Sequence, residues 1–344
     1  MPGHITHNNS YLDVYKLLPE QVKRRYASAW EQYKLFAQGH DFLLLYMFLH
    51  LPQYPKVHQK LHIIEEDVQE LAVRYVHALR KTERSAESVL FLYGYLTHHF
   101  MDAKIHPLVI YETGDLQNDK NASAHHLLVE NMIDAYLLRK DGVDPQKFKI
   151  HELITSRAAM SAETRAIIDD SFDAAYGLKN FSELFAGYNK TARTFFKALR
   201  YDPYGAKRIL FKPLDWLLMG VFKPSILPCT HDGTECLRYM NMDNEPWTNP
   251  ADASIVSTLS FDELYDEGVR ETACMLSRLD EAISLNAPDR ELRTIIPNVS
   301  SITGCASRPD YQLSHVRKGC PGYLPVEPKP PEPLAVSSRA SDHS

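Results

Sequence analysis

Apolar side chains recur at every third or fourth position through most of residues 1–290, and strict apolar/polar alternation is scarce. That period suits α-helices burying one face, whereas half-buried strands need a period of two. The first such stretch runs from Leu12 to Ala37 through Leu18, Val22, Tyr26, Trp30 and Phe36. Others span Ile63–Leu79, Ser85–His106, His125–Leu138, Ala162–Ala175, Ser182–Leu199 and Phe261–Leu285. Pro107 predicts the end of the Ser85 helix, because proline lacks the N–H a helix interior needs. Ser260, three residues before Glu263, predicts a capping box at the start of the last. The expected fold is all-α, a multi-helix bundle.

The 344 residues, 44% of them hydrophobic, can bury a sizeable core. Residues 1–290 read as one helical domain and 291–320 as an irregular extension packing on it. Residues 321–344 form a tail with six prolines before SSRASDHS, expected to be disordered because it has too little apolar surface to offset the entropy of ordering.

A net charge of −6 disfavours wholesale electrostatic binding of nucleic acid, and no nucleic-acid surface is expected. The five cysteines all lie in the C-terminal third and form no C-x-x-C pair. Reduced thiols in a cytoplasmic protein are therefore expected. The opening residues show no basic segment followed by an apolar one, and the Trp216–Phe222 run is too short to cross a bilayer.

Twelve of the 16 histidines lie at or before His126. Within LTHHFMDAKIHP, residues His98, Asp102 and His106 are spaced by four. On a helix, successive members turn by only about 40° and rise about 6 Å, so all three share a face. Two imidazoles and a carboxylate are donors that zinc accepts. One helix cannot surround an ion, and the next offers His126 and Glu130, again four apart. The neighbouring His99 and His125 are turned about 100° away and read as supporting or ordinary polar residues. Surface or capped core histidines are the plainer alternative for the whole set. Upstream lie His4 and His7, Gly39-His40-Asp41, and His58 with His62. Alone, each has an ordinary reading as frayed terminus, helix cap or solvated face.

Taken together, the M-P-x(4)-H start, the G-x-D turn at 39–41, His62, H-x(3)-D-x(3)-H-P at 98–107 and H-x(3)-E at 126–130 carry a resemblance. So does the downstream W-T-N-P…SFDELYDEG stretch at 247–268. Over about residues 1–290 the chain resembles the zinc-dependent phospholipase C family and, more distantly, the fungal single-strand-specific zinc nucleases. The resemblance implies a helical bundle of that type and a cluster of two to three zinc ions. It assigns Asp41, His62, His98 and Asp102 to one ion, His106, His126 and Glu130 to a second, and His7 with bridging Asp102 to a third. In the family the mature N-terminal residue completes that third site. Here Pro2, exposed by loss of Met1, would fill the role, with His4 as the substitute.

The implied activity is hydrolysis of a phosphoric ester, with phospholipids as the substrate class the resemblance suggests, by a zinc-activated hydroxide. The resemblance also suggests that Asp41 orients or deprotonates the attacking water. Residues 206–223 interleave Leu210, Phe211, Leu214, Trp216 and Leu217 with Lys207, Arg208, Lys212 and Lys223, as an interfacial membrane segment would. A buried helix with basic ends is the plainer alternative. Three other readings compete with the hydrolase. A His-Asp phosphohydrolase would use His40-Asp41 but leave the later ligand sets without a role. A di-iron carboxylate protein needs Glu-x-x-His pairs that neither ligand helix has. A zinc-stabilised binding protein would hold the metals without chemistry.

Overall fold

The computed structural model describes residues 3–41, 61, 67–116, 118–145, 147–153, 160–186, 197, 206–217, 225, 235–307 and 311–317. These are mostly helical. The N-terminal apolar stretch is not one helix: α1 (His4–Leu17) and α2 (Glu20–Trp30) are followed by a 3-10 turn at Lys34–Gln38. Pro19 makes the break, holding Leu18 in extended backbone (ψ 151). The apolar period survives the break because Tyr11, Val14, Val22 and Trp30 all enter one core.

The helices α3 (Val68–Leu79), α4 (Ala86–Thr113), α5 (Lys120–Lys140) and α6 (Ile150–Leu153) come next. After them come α7 (Ala162–Tyr176), α8 (Ala206–Leu217) and a second 3-10 turn (Glu235–Tyr239). A two-stranded antiparallel ribbon, β1 (Trp247–Asn249) and β2 (Asp252–Ser257), precedes α9 (Phe261–Ser284) and α10 (Asp289–Ile295). The ribbon escapes sequence reading because the middle of β2 is exposed throughout and so does not alternate. Side-chain caps start several helices: Asp67 accepts from the Glu70 N–H, Ser85 from Ser88 and Ser161 from Thr164. Ser260 and Glu263 form the full capping box of α9.

Helix α4 is the axis of the fold, touching α1, α2, α3, α5, α7, α9 and the first 3-10 turn. Only Ala86, Phe100, Lys104 and Tyr111 along its 28 residues are not buried. Among the described residues no helix is long and apolar enough to cross a membrane.

Pro107 does not end α4, which continues to Thr113. The carbonyl that loses its helical partner to Pro107 belongs to Ala103. Gly304 packs against it so closely that a Cβ there would lie 2.4 Å from the Ala103 oxygen, and its φ of +65 favours glycine. Beyond the proline, Leu108, Val109 and Ile110 are fully buried, and their burial outweighs one missing helix bond.

Residues 298–307 form a strap folded back on α4. It is closed by the Val299–Ala306 bridge, by Ser300 N–H to Cys305 O (2.9 Å) and by Ser307 N–H to Asn298 O (3.2 Å). Residues 321–344 lie outside the described residues.

Candidate metal centre

Four stretches of chain converge beside the middle of α4. Helix α1 supplies His7, the turn after the first 3-10 element supplies His40 and Asp41, α4 supplies His98, Asp102 and His106, and α5 supplies His126 and Glu130. All eight are buried, and His126 at 7% is the most exposed. The turn at Gly39 makes the convergence possible. Its φ is +51, and a Cβ would sit 2.3 Å from the His98 ring, so glycine lets the backbone pass against the imidazole.

The donor atoms fall into two groups, within each of which every ligand atom lies within 4.8 Å of the others: His40, Asp41, His98 and Asp102, and His106, His126 and Glu130. The His98 Nε2 is 3.3 Å from Asp41 Oδ1 and 3.3 Å from Asp102 Oδ2. His7 Nε2 lies 3.3 Å from Asp102 Oδ1 and 3.6 Å from Asp41 Oδ2, so Asp102 is shared between the two imidazoles. In the second group Glu130 Oε1 is 2.9 Å from His126 Nε2 and 3.6 Å from His106 Nε2. Ligands at about 2.0–2.2 Å from a tetrahedral ion stand about 3.3–3.6 Å from one another. Most of the observed spacings are of that size.

Outer hydrogen bonds set the tautomers. The His98 Nδ1–H donates to Ala37 O (3.1 Å) and the His106 Nδ1–H to Ser301 O (2.7 Å). A carbonyl only accepts, so the proton sits on Nδ1 and each Nε2 turns a lone pair inward. Thr113 spends its hydroxyl hydrogen on Val109 O (2.7 Å), and its oxygen lies 3.4 Å from His126 Nδ1, favouring the same tautomer. Such outer partners orient metal-binding histidines. Both nitrogens of His7, Nε2 of His98 and His106, and both oxygens of Asp102 are buried without a hydrogen bond. Uncompensated polar atoms are costly in a core, and divalent cations would satisfy all of these except the second nitrogen of His7. The residues fit such an ion.

The electrostatics agree. Burial holds His7, His106 and His126 well below the usual imidazole range, so they are neutral and able to coordinate. Burial raises Asp102 to about 7 and pushes Glu130 well above its ordinary value. For Asp41 burial acts upward, but the adjacent His98 outweighs it and keeps the carboxyl below its usual pKa. His98 moves the other way: burial opposes its charge, yet Asp41 and Asp102 raise its pKa. A pocket that penalises its own carboxylates in this way is one whose charge balance a cation restores.

His62, expected in the first group, lies outside the described residues, as do Met1, Pro2 and His58. His4 instead hydrogen-bonds Gln38 through its ring and its carbonyl. His40, which sequence reading gave only to a rival enzyme, stands in the first group. Its ring meets His98 edge-on at 4.8 Å, and its Nδ1 lies 3.3 Å from the Tyr95 hydroxyl. Its place next to Asp41 was the available signal. His99 and His125 serve as supports: His99 Nε2–H donates to Val299 O (2.8 Å), and His125 Nε2 meets the Tyr239 hydroxyl (3.1 Å).

Asp134, one helical turn after Glu130, also went unrecognised. It accepts from the backbone N–H groups of Ile5 (3.0 Å) and Thr6 (2.9 Å) and from the Thr6 hydroxyl (2.8 Å). The N-terminus of α1 is thus capped from α5, which aims His7 at the site. The W-T-N segment steadies the strap, since Asn249 Nδ2–H donates to Thr303 O (2.7 Å).

No protein-family model matches the chain, and no curated protein or solved structure is significantly similar to it.

Proposed function

We propose that the chain is a metal-dependent phosphoric ester hydrolase resembling phospholipase C, built on a bundle of that type and loaded with two to three zinc ions. One observation carries the reading: ring nitrogens of His7, His98 and His106 meet carboxylate oxygens of Asp41, Asp102 and Glu130 at ligand-to-ligand spacing inside a core. A mixed imidazole and carboxylate set without thiolate suits zinc. Asp41, His98 and Asp102 with His40 would hold one ion, and His106, His126 and Glu130 a second. His7 and Asp102 would contribute to a third. Bound cations supply positive charge for a phosphoester's oxygens and make a water more acidic.

The chain's own residues do the rest. Asp41 is suited to orient a water and accept its proton at a carboxylate oxygen. The buried walls exclude bulk water and so strengthen every charge interaction inside. Cys274 is a free thiol, in keeping with the cytoplasmic setting we propose.

The test is elemental analysis of protein purified without chelator, alongside hydrolysis of a soluble chromogenic phosphodiester. Two or three zincs per chain and a rate lost in Glu130→Ala support the proposal; metal-free protein, or a loaded protein inert to phosphoesters, refutes it. The presence of His40 beside Asp41 favours one second reading, the His-Asp phosphohydrolase. That enzyme would not need His126, so His126→Ala should leave its rate intact, whereas our reading predicts loss.

A further inference from the structure

Helix α8 is turned inside out. Ile209 (71%), Leu210, Leu214, Trp216 (84%) and Leu217 are exposed, while the less exposed face carries Lys207, Phe211 and Asp215. Phe211 packs against the main core, and Asp215 accepts from the Ser225 N–H (3.0 Å) and the Ser225 hydroxyl. The helix is therefore held by its narrow inner face with its apolar side outward, so it is not the buried helix with basic ends that the sequence also allowed.

At about 100° per residue the five exposed apolar positions cover a continuous arc of about 160°. Lys212 stands beside the Trp216 edge of that arc and Lys207 beside the Leu214 edge. A water-facing helix with that arc would expose a contiguous apolar patch, which marks an interaction surface. Basic residues on both flanks of an outward apolar stripe, with a tryptophan in it, are the design of a helix lying in the plane of a membrane interface. Charge selects among occupants. A second copy seated face to face would set two lysine rims against each other, whereas anionic lipid headgroups complement the rim.

We infer that α8 docks the protein on the surface of an anionic lipid bilayer, inserting Ile209, Leu210, Leu214, Trp216 and Leu217 with Lys207 and Lys212 at headgroup level. The inference stands on this helix alone and does not depend on the metal centre.

Trp30 and Trp247 are buried, so Trp216 is the exposed tryptophan and reports its own insertion. The full chain, metal-loaded, is mixed with vesicles of phosphatidylcholine alone or mixed with phosphatidylglycerol, then followed by co-sedimentation and tryptophan emission. The expected results are co-sedimentation with the anionic vesicles, a blue shift of emission, and several-fold weaker binding as salt rises from about 0.05 to about 0.5 M. Leu210→Glu with Leu214→Glu should cut the partition at least about tenfold while melting temperature, metal content and hydrolysis of a soluble phosphodiester stay unchanged. Failure to bind either vesicle overturns the inference, as does unaltered binding by the variant. Equal, salt-independent binding to neutral vesicles overturns the anionic assignment. A concentration-dependent dimer that the variant dissolves would mean that a second copy covers the face.

Discussion

Stripping divalent cations from the purified chain should lower its melting temperature by about 10–16 °C, and two independent routes give the ends of that range. The first counts what chelation exposes. One nitrogen of His7, Nε2 of His98 and His106, and both oxygens of Asp102 are buried without hydrogen bonds and would lose the ion. At the lower end of about 1 kcal/mol per atom they cost about 5 kcal/mol. The second counts what binding contributes: two sites, each with free metal at about a thousand times Kd, stabilise the fold by about 8 kcal/mol. For a chain of this length about 2 °C of melting temperature accompanies each kcal/mol. The assay is a thermal melt by far-ultraviolet circular dichroism, before and after chelator treatment and again after zinc is restored. A shift below about 3 °C, with elemental analysis showing the metal gone, would refute the reasoning. The buried imidazoles and carboxylates would then be satisfied without an ion.

Three further outcomes are expected. Gly304→Val drives a Cβ into the Ala103 oxygen and strains a φ of +65. It should cost about 2 kcal/mol by denaturant unfolding and weaken zinc about 10–100-fold in a chelator competition, because the strap holds the His106 tautomer. Asp134→Asn keeps an acceptor but loses the charge facing the α1 N-terminus. A loss of about 1–2 kcal/mol is expected, with a lower metal stoichiometry since His7 is no longer aimed at the site. The third concerns pH. Burial lowers His99 to about 4 from its ordinary 6.5, so the folded protein holds it neutral while the unfolded chain protonates it first. Its contribution is complete above about pH 6.5 and is lost as pH falls toward about 4, on the order of 3 kcal/mol. In metal-free protein, His99→Gln should flatten the urea midpoint against pH across that window; parallel curves would contradict the assignment.

Much of the site is written in local spacing. An interval of four residues is close to one helical turn, so His98, Asp102 and His106 had to share a face of α4, and His126 and Glu130 a face of α5. The capping box of α9 follows from Ser260 and Glu263 in the same local way. Other features depend on partners distant in the chain. Pro107 is a helix stop by local rules, and only the approach of Gly304 and the burial of Leu108, Val109 and Ile110 carry α4 past it. His40 becomes a candidate ligand because Gly39 turns the backbone against His98, and His7 because Asp134 docks α1 from α5. The apolar period of α8 announces an amphipathic helix, but periodicity is blind to which side faces the core. The placement of Phe211 inward and Trp216 outward decided that. Spacing along a helix is set by backbone geometry, whereas the meeting of helices is set by packing of residues hundreds of positions apart, which no local pattern encodes.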